Sequence, residues 1–494
     1  MHFQFFSAVL VMSMETLPNE LLVRVLMQME PEELSYCNQL SKLFYGPPSL
    51  VEQALRLLAT EGSLSGIPET LPNNHANWTQ ALLFLVMLQR GSKYTLVAAG
   101  VDHSAFVDAG GTLLMCGKLP GLGGMINRSI PTPDAGLVGV RVQSVVGRYN
   151  HIIALSVDGM AFSWGKGEYG QLGHGDQEDV ARPKAIRALS NVCAIEAGGN
   201  HSLAVTSDGA LWSWGRGMTR QLGHDNGCAN ELLPRRLEAL ASKRMCAVAA
   251  GPTHSLAVCV DGGCFAWGHA ATSGGCHVIT KPQSIRALCG ERVSRLCSVA
   301  ASVFSSRAVG CTLQGDIWQW GHWGGSFLNE PTPLKGTLLN SHRVVSVSFC
   351  SLSAYASHCL ALTADGAVFS WVMVDHRNTR TSDLERVRHV LGHDDALDAP
   401  HSQFSLPRPI EALAGQRICS VVNTRDCQSI AAGWTVTAGV APATDGQAQR
   451  SQWACWSWGR GNMWEVLGHG EKHADTSQPR RVVVIGVTPS EVTD

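Results

Sequence analysis

The chain has 494 residues, and its 38 Lys plus Arg against 40 Asp plus Glu leave a net charge of −2, too close to neutral for a wholesale nucleic-acid or acidic-membrane binder. Only 16% of residues are charged, against about 25% in an average globular chain, while 45% are hydrophobic, so a large core can form and bulk disorder is excluded.

Residues 1–13 form an apolar leader of uncertain role. They lack the basic start and the small-residue cleavage site of a secretory signal, and Met14 offers an alternative start. Residues 14–46 read differently. Leu21, Leu22, Val25, Leu26 and Met29 recur at helical spacing, with Pro18 and Glu20 suited to a first turn. Pro31 opens a second helix with Glu32 and Glu33 in its first turn and a Leu34, Cys37, Leu40 stripe. A helical unit this small buries little core alone, which points to a partner surface. The segment resembles an F-box at Leu17-Pro18, Glu20-Leu21-Leu22, Val25-Leu26, Glu33-Leu34 and Leu40-Ser41-Lys42. The Trp usual a few residues after that Ser-Lys is missing. The resemblance implies docking on a Skp-type adaptor of a cullin ubiquitin ligase, with Leu17, Pro18, Leu21, Leu22, Val25 and Leu34 as contacts. The alternative is a helical cap that packs on the rest of the chain.

Residues 47–92 read as a helical linker whose longest apolar run, 81–88, is far short of the about 20 residues a membrane helix needs. From residue 93 to 486 the chain repeats. Related stretches begin at His103, His151, His201, His254 and His358, with two more at residues 310–324 and 453–470. Asp-Gly pairs at Asp158, Asp208, Asp261, Asp365 and Asp445, and a reversed Gly315-Asp316, mark a period of about 50 residues, as in propeller blades. Within each of the seven copies an apolar alternating strand such as Ser202–Val205 meets an Asp-Gly turn. A Trp-rich return strand and a Gly follow, then Gln-Leu-Gly-His, then a strand opened by Pro (Pro183, Pro234, Pro282, Pro333, Pro409, Pro479). A run such as Val248–Gly251 is expected to close the unit.

Four short strands per unit, repeated radially, predict a mainly β fold, a seven-bladed β-propeller preceded by a small α-helical F-box-like domain. The repeats resemble those of the regulator of chromosome condensation family, over about four-fifths of the chain. Residues 94–100 look like a last strand placed before the first copy, so they are expected to complete the blade begun by the C-terminal copy. Insertions at about 373–405 and 438–451 are expected as surface loops, and 487–494 as a tail.

Catalytic and metal constellations are thin. The histidines recur once per repeat, so they are spread around the ring, and each reads as a polar tie from a strand to a neighbouring loop. The Asp-Gly carboxylates read as turn residues, and Gly165-Lys166-Gly167 as a blade loop. The 16 cysteines, scattered with no Cys-x-x-Cys, read as reduced thiols; Cys193, Cys246, Cys297 and Cys419 sit in apolar contexts. Trp164, Trp214, Trp267, Trp320, Trp371 and Trp458 occupy the repeat register and are expected in the core. A light-sensing branch of the family carries Gly-Trp-Arg-His-Thr before its Ser-Leu-Ala strand. Here those positions read Gly199-Asn200-His201-Ser202 and Gly251-Pro252-Thr253-His254.

The expected function is that of a non-catalytic adaptor in the cytoplasm or nucleus, with no cofactor and no metal. Its F-box segment would dock on the Skp-type adaptor while its propeller recruits an unknown protein substrate, and neither nucleic acid nor membrane is a partner. Loop 373–405, where Arg377, Arg380, Arg386 and Arg388 interleave with Asp375, Asp383 and Glu385, is one candidate recruiting surface. The alternatives are nucleotide exchange on a small Ran-type GTPase and a plain scaffold.

Overall fold

The fold was derived from a computed structural model, which describes residues 95–482 apart from internal stretches, the longest being 286–295, 375–390, 394–405, 435–452 and 460–475. Packing divides the chain into Met1–Arg90 and Gly91–Asp494. The first unit, with the F-box-like segment, lies outside the described residues, as do most of both expected insertions. Among the described residues no helix is long and apolar enough to cross a membrane.

The described strands form seven four-stranded antiparallel sheets, each a simple meander. In chain order they span residues 97–133, 142–185, 192–236, 245–284, 296–333, 344–409 and 417–481 and are called sheets one to seven. Each sheet packs on the next through its first strands, and the first strand of sheet one meets the first two of sheet seven, the arrangement of a β-propeller.

Two faces of every sheet are buried, which explains runs that are apolar throughout. In sheet three, Ile195, Ala197, Ala204 and Trp214 pack against Val146, Ile153 and Leu155 of sheet two. Leu203, Val205 and Leu211 on the opposite face pack against Ala250, Ala257 and Trp267 of sheet four. Trp164, Trp214, Trp267, Trp371 and Trp458 are all buried as their register predicts, and the side chain of Trp320 lies outside the described set.

In sheets one to six the hairpin turn between second and third strands takes three residues. In Ser207-Asp208-Gly209, Gly209 N–H donates to Thr206 O and Thr206 N–H to Ala210 O. Asp208 accepts from Ala210 N–H, and only Gly209 is left-handed, at φ +85°. This is a type I turn closed by a glycine bulge, which keeps the strand twist. A Cβ at Gly209 would lie 2.8 Å from Arg244 Cα.

Two expectations about repeat phase are corrected. The run around Val248 (Met245–Ala250) does not close a unit; it is the first strand of sheet four, paired Val248 to Ala257 of the second strand. The tight Gly251–Thr253 connection makes these two strands a hairpin. By the same rule the segment before His103 belongs to sheet one: Val97–Ala99 pairs with the strand from His103, Val97 opposite Phe106. Sheet seven draws all four strands from residues 417–481, so no strand is exchanged to close the ring. Side-chain packing closes it instead. Val97, Phe106, Leu114 and Cys116 cluster with Cys455 and Val482, and Leu96 N–H donates to Ser420 Oγ at 3.3 Å. The Pro residues also shift. Pro183, Pro234, Pro282, Pro333, Pro409 and Pro479 lie within or at the end of fourth strands, outermost in each sheet, where a missing N–H costs no ladder bond.

Candidate interaction surface

Leu17, Pro18, Leu21, Leu22, Val25 and Leu34 lie outside the described residues, and so do the charged residues of loop 375–390. The repeat histidines His103, His151, His174, His201, His224, His254, His358 and His393 are described, and they set the geometry of the seams.

His151 and His201 begin second strands and reach across to the next sheet. His151 Nε2 lies 3.0 Å from Ser202 Oγ, and His201 Nε2 lies 2.9 Å from Ser255 Oγ. Each serine spends its one proton on a carbonyl of the Gln-Leu-Gly-His loop one sheet back: Ser202 on Gln171 O and Ser255 on Gln221 O, both at 2.8 Å. A carbonyl only accepts, so the imidazole must donate through Nε2. The same two carbonyls accept from Trp214 Nε1 at 2.9 Å and Trp267 Nε1 at 2.8 Å. One loop carbonyl is thus pinned by the Ser and the Trp of the following sheet.

The second set of histidines acts within a sheet. His174, His224 and His393 lie 3.1, 2.9 and 2.9 Å from Ser163, Ser213 and Ser370. Each of those serines also donates to the leucine carbonyl of the same loop, Leu172, Leu222 or Leu391. The reading as strand-to-loop ties matches the second set, whereas His151 and His201 tie strand to strand and reach the loop only through the serine. Burial alone pushes the His103 imidazole down to about 4, while like charges on neighbouring groups assist at His151 (about 4) and at His201, His254 and His358 (about 3). The rings pack against glycines: a Cβ at Gly198 would fall 2.4 Å from His201 Nδ1. The described cysteines form no disulfide; half-buried Cys193 packs on the core cluster of sheets three and four, as its apolar neighbours suggested, whereas Cys246 is exposed, against that expectation.

Two charged groups sit on first strands or their loops. Arg148 bears on His201, His254 and Glu196. Burial pushes the Glu196 carboxyl up to about 7, and the positive charge of Arg148 only partly opposes it.

The exposed candidate for partner contact lies on the loops of sheets two and three. Arg216 stacks over the Tyr169 ring with its guanidinium carbon 4.7 Å from the centroid, and its Nη2 lies 3.1 Å from Met218 Sδ. Met218 is 62% exposed. Beside them Lys166 pairs with Asp179 at 2.6 Å, and Asp179 also accepts from Gly167 N–H, so the Gly-Lys-Gly stretch is a blade loop as read. Tyr, Arg and Met are the side chains that recur at interface centres, because they offer area with a polar handle. Sequence reading missed this cluster. Its signal was the basic residue after each third-strand Gly: Lys166, Arg216 and His269.

Residues 158–205 and 208–258 match the family described as Regulator of chromosome condensation (RCC1) repeat. The chain is 30% identical over 296 residues to the E3 ubiquitin-protein ligase HERC2 of Homo sapiens, a match covering 57% of this chain and 6% of that protein. It is 28% identical over 292 residues to the Ultraviolet-B receptor UVR8 of Arabidopsis thaliana, covering 56% of this chain and 65% of the receptor. It is 27% identical over 293 residues to the Secretion-regulating guanine nucleotide exchange factor of Mus musculus, covering 56% and 61%. In each case the match spans less than two thirds of the relative. The chain is a mainly β protein, a β-propeller carrying RCC1 repeats.

Proposed function

We propose that the chain is a non-catalytic adaptor whose seven sheets form one closed ring of blades that holds a substrate protein, while residues 14–46 dock on a Skp-type adaptor of a cullin ubiquitin ligase. The observation that carries this reading is the Leu17-Pro18, Glu20-Leu21-Leu22, Val25-Leu26 series ahead of an RCC1-repeat propeller. The mechanism is proximity: a substrate held near a charged conjugating enzyme reacts at a raised effective concentration, with no catalytic side chain needed from the adaptor. The cluster of half-buried Tyr169 and Arg216 with exposed Met218 supports a recruiting role for the propeller. The work would take place inside the cell, in cytoplasm or nucleus.

The test is a pull-down of a Skp-type adaptor with the full chain and with a Leu17→Ala/Pro18→Ala/Leu21→Ala variant. Capture by the parent that the variant loses is the expected result. A folded parent that captures nothing makes residues 14–46 a structural cap. A second reading, nucleotide exchange on a small Ran-type GTPase, rests on the exchange-factor relative and on no side chain placed in the present structure.

A further inference from the structure

The loops after the third strands of sheets two and three are built on one frame. In each, the residue just before the fourth strand turns its side chain back to the glycine two residues past the third strand. Asp179 accepts from Gly167 N–H, and Asn230 accepts from Gly217 N–H, both at 3.0 Å. In sheet two the Asp179 carboxylate also takes Lys166 at 2.6 Å, so the cation of that loop is neutralised within its own sheet. Glu168 bears on the same lysine. Asn230 keeps the bond to the backbone and brings no charge. Arg216, which follows Gly215 as Lys166 follows Gly165, is left without that carboxylate. It lies over the Tyr169 ring of sheet two and against Met218 Sδ instead.

A second arginine closes the same turn. Arg220 N–H donates to Gly217 O at 2.8 Å, as Gly170 N–H donates to Gly167 O in sheet two. Gly170 has φ +76°, and Arg220 holds the same left-handed backbone at φ +61°. Sheet three thus keeps an arginine in a conformation that disfavours any Cβ, at a register that its neighbour fills with glycine. Arg216 and Arg220 are both half-buried, and neither has an ion pair among the described residues. The carboxylates of this loop and of the strand that follows it are taken elsewhere: Asp225 by Lys281 at 2.8 Å and Glu231 by Arg235 at 2.6 Å.

The turn between the two arginines is fixed from both sides. Thr219 donates to Gln221 Oε1 through its N–H at 2.9 Å and its Oγ1 at 2.6 Å, and Oγ1 lies 3.3 Å from Thr253 O of sheet four. Tyr169 holds Arg216 on the sheet-two side. Groups carried on a braced loop lose little freedom when a partner binds. Guanidinium groups that are partly desolvated and lack an internal acid are matched by carboxylates, which can take both arms of the fork.

We propose that the turn 216–220 is a docking site for an acidic segment of a partner protein. One carboxylate of the segment pairs with Arg216, a second pairs with Arg220, and an apolar side chain between them covers the exposed Met218. The site rests on the recruiting role given to the propeller, names the chemistry of what is recruited, and is independent of residues 14–46.

The probe is a fluorescein-labelled Glu-Asp-Glu-Leu-Asp-Glu-Asp peptide titrated against the full chain, with anisotropy as readout. Saturable binding is expected, weakened about tenfold by Arg216→Gln and about tenfold by Arg220→Gly, the equivalent of one charge-assisted hydrogen bond each. Arg220→Gly separates the site from a structural role. It relieves the left-handed backbone, so its melting temperature is expected to match or exceed the parent's while binding falls. Asn230→Asp keeps the acceptor for Gly217 N–H and gives Arg216 an internal carboxylate, and it is expected to weaken binding to the same degree as Arg216→Gln. The double variant Lys166→Met/Asp179→Asn removes a pair that is already neutral and is expected to bind like the parent. Four results each overturn the site: no saturable binding, equal binding of a Lys-Arg-Lys-Leu-Arg-Lys-Arg peptide, indifference to Arg216→Gln, Arg220→Gly and Asn230→Asp, or an equal loss in the double variant. A phosphoserine peptide that binds where the acidic peptide does not overturns the carboxylate assignment. The Leu17→Ala/Pro18→Ala/Leu21→Ala variant is expected to bind the acidic peptide like the parent, so failure of this site and failure of adaptor docking are separate results.

Discussion

The seam between sheets two and three and the seam between sheets five and six are built on the same register and solve opposite problems. In the first, one carbonyl, Gln171 O, receives Ser202 and Trp214, and His151 completes the chain. In the second, Cys359 stands where the serine would be, and Trp371 Nε1 has no partner among the described residues. The difference teaches that apolar register alone stacks one blade on the next, because Trp214 and Trp371 are both fully buried in their seams. What the polar relay adds is a specific loop, held at its backbone, and that loop is dispensable to the ring but not to the groups that grip it.

Acid is the strongest way to break the comparison, since it acts on the histidines at once. His103, His151, His201, His254 and His358 are held well below their ordinary value of about 6.5, so the folded state refuses protons that the unfolded state accepts. A group whose folded value is depressed contributes its full stability above the unfolded value and loses it as pH falls. Between pH 6.5 and 5 each such site costs about 2 kcal/mol, and the set on the order of 10 kcal/mol. Glu196 runs the other way, because its raised folded value favours folding as pH falls, and it offsets roughly one histidine. Urea midpoints at pH 7 and pH 5 read the result, together with the net proton uptake on unfolding. A midpoint that does not fall between them would show that the ring opens without exposing its histidines.

The next effect is local to a turn and separates steric fit from backbone strain. Gly209→Ala puts a Cβ 2.8 Å from Arg244 Cα at φ +85°, whereas Gly139→Ala, at φ +80°, meets nothing within 4 Å. The second substitution carries only the left-handed penalty, about 1 kcal/mol, and the first adds an overpacking cost of about 1–3 kcal/mol. Thermal unfolding of the two variants is expected to rank Gly209→Ala clearly below Gly139→Ala. Equal melting points would mean that Arg244 moves aside at no cost.

Much of this was legible in the residues. The period of about 50, the Asp-Gly turns and the Trp register led directly to four-stranded units and a buried Trp in each described case. The phase of the repeat was not legible, because a strand between two hairpin partners fits either unit until pairing is seen. Val248 opposite Ala257 settles it, and with it the ring closure at Val97. The relay was legible only as a class of interaction: histidine spacing pointed to strand-to-loop ties, but the partner lies about 50 residues away in the next copy, as His151 to Ser202 shows. The Arg216 and Tyr169 stack was hidden for the same reason, since its two halves come from different repeats.

The smallest effect sharpens the two seams directly. Trp214→Phe and Trp371→Phe remove the same nitrogen from the same register, and both leave an aromatic ring of similar shape in a buried site. At Trp214 the change breaks a 2.9 Å bond to Gln171 O, but Ser202 still donates to that carbonyl, so the acceptor is not orphaned and the loss is about 1 kcal/mol beyond the packing cost. At Trp371 no bond is broken and a buried unpaired donor is removed, which lowers the cost by a similar amount. The two variants should therefore differ by about 1–2 kcal/mol in urea unfolding, with Trp214→Phe the less stable. Indistinguishable variants would mean that Trp371 Nε1 already has an acceptor in solution, and the asymmetry between the seams would then disappear.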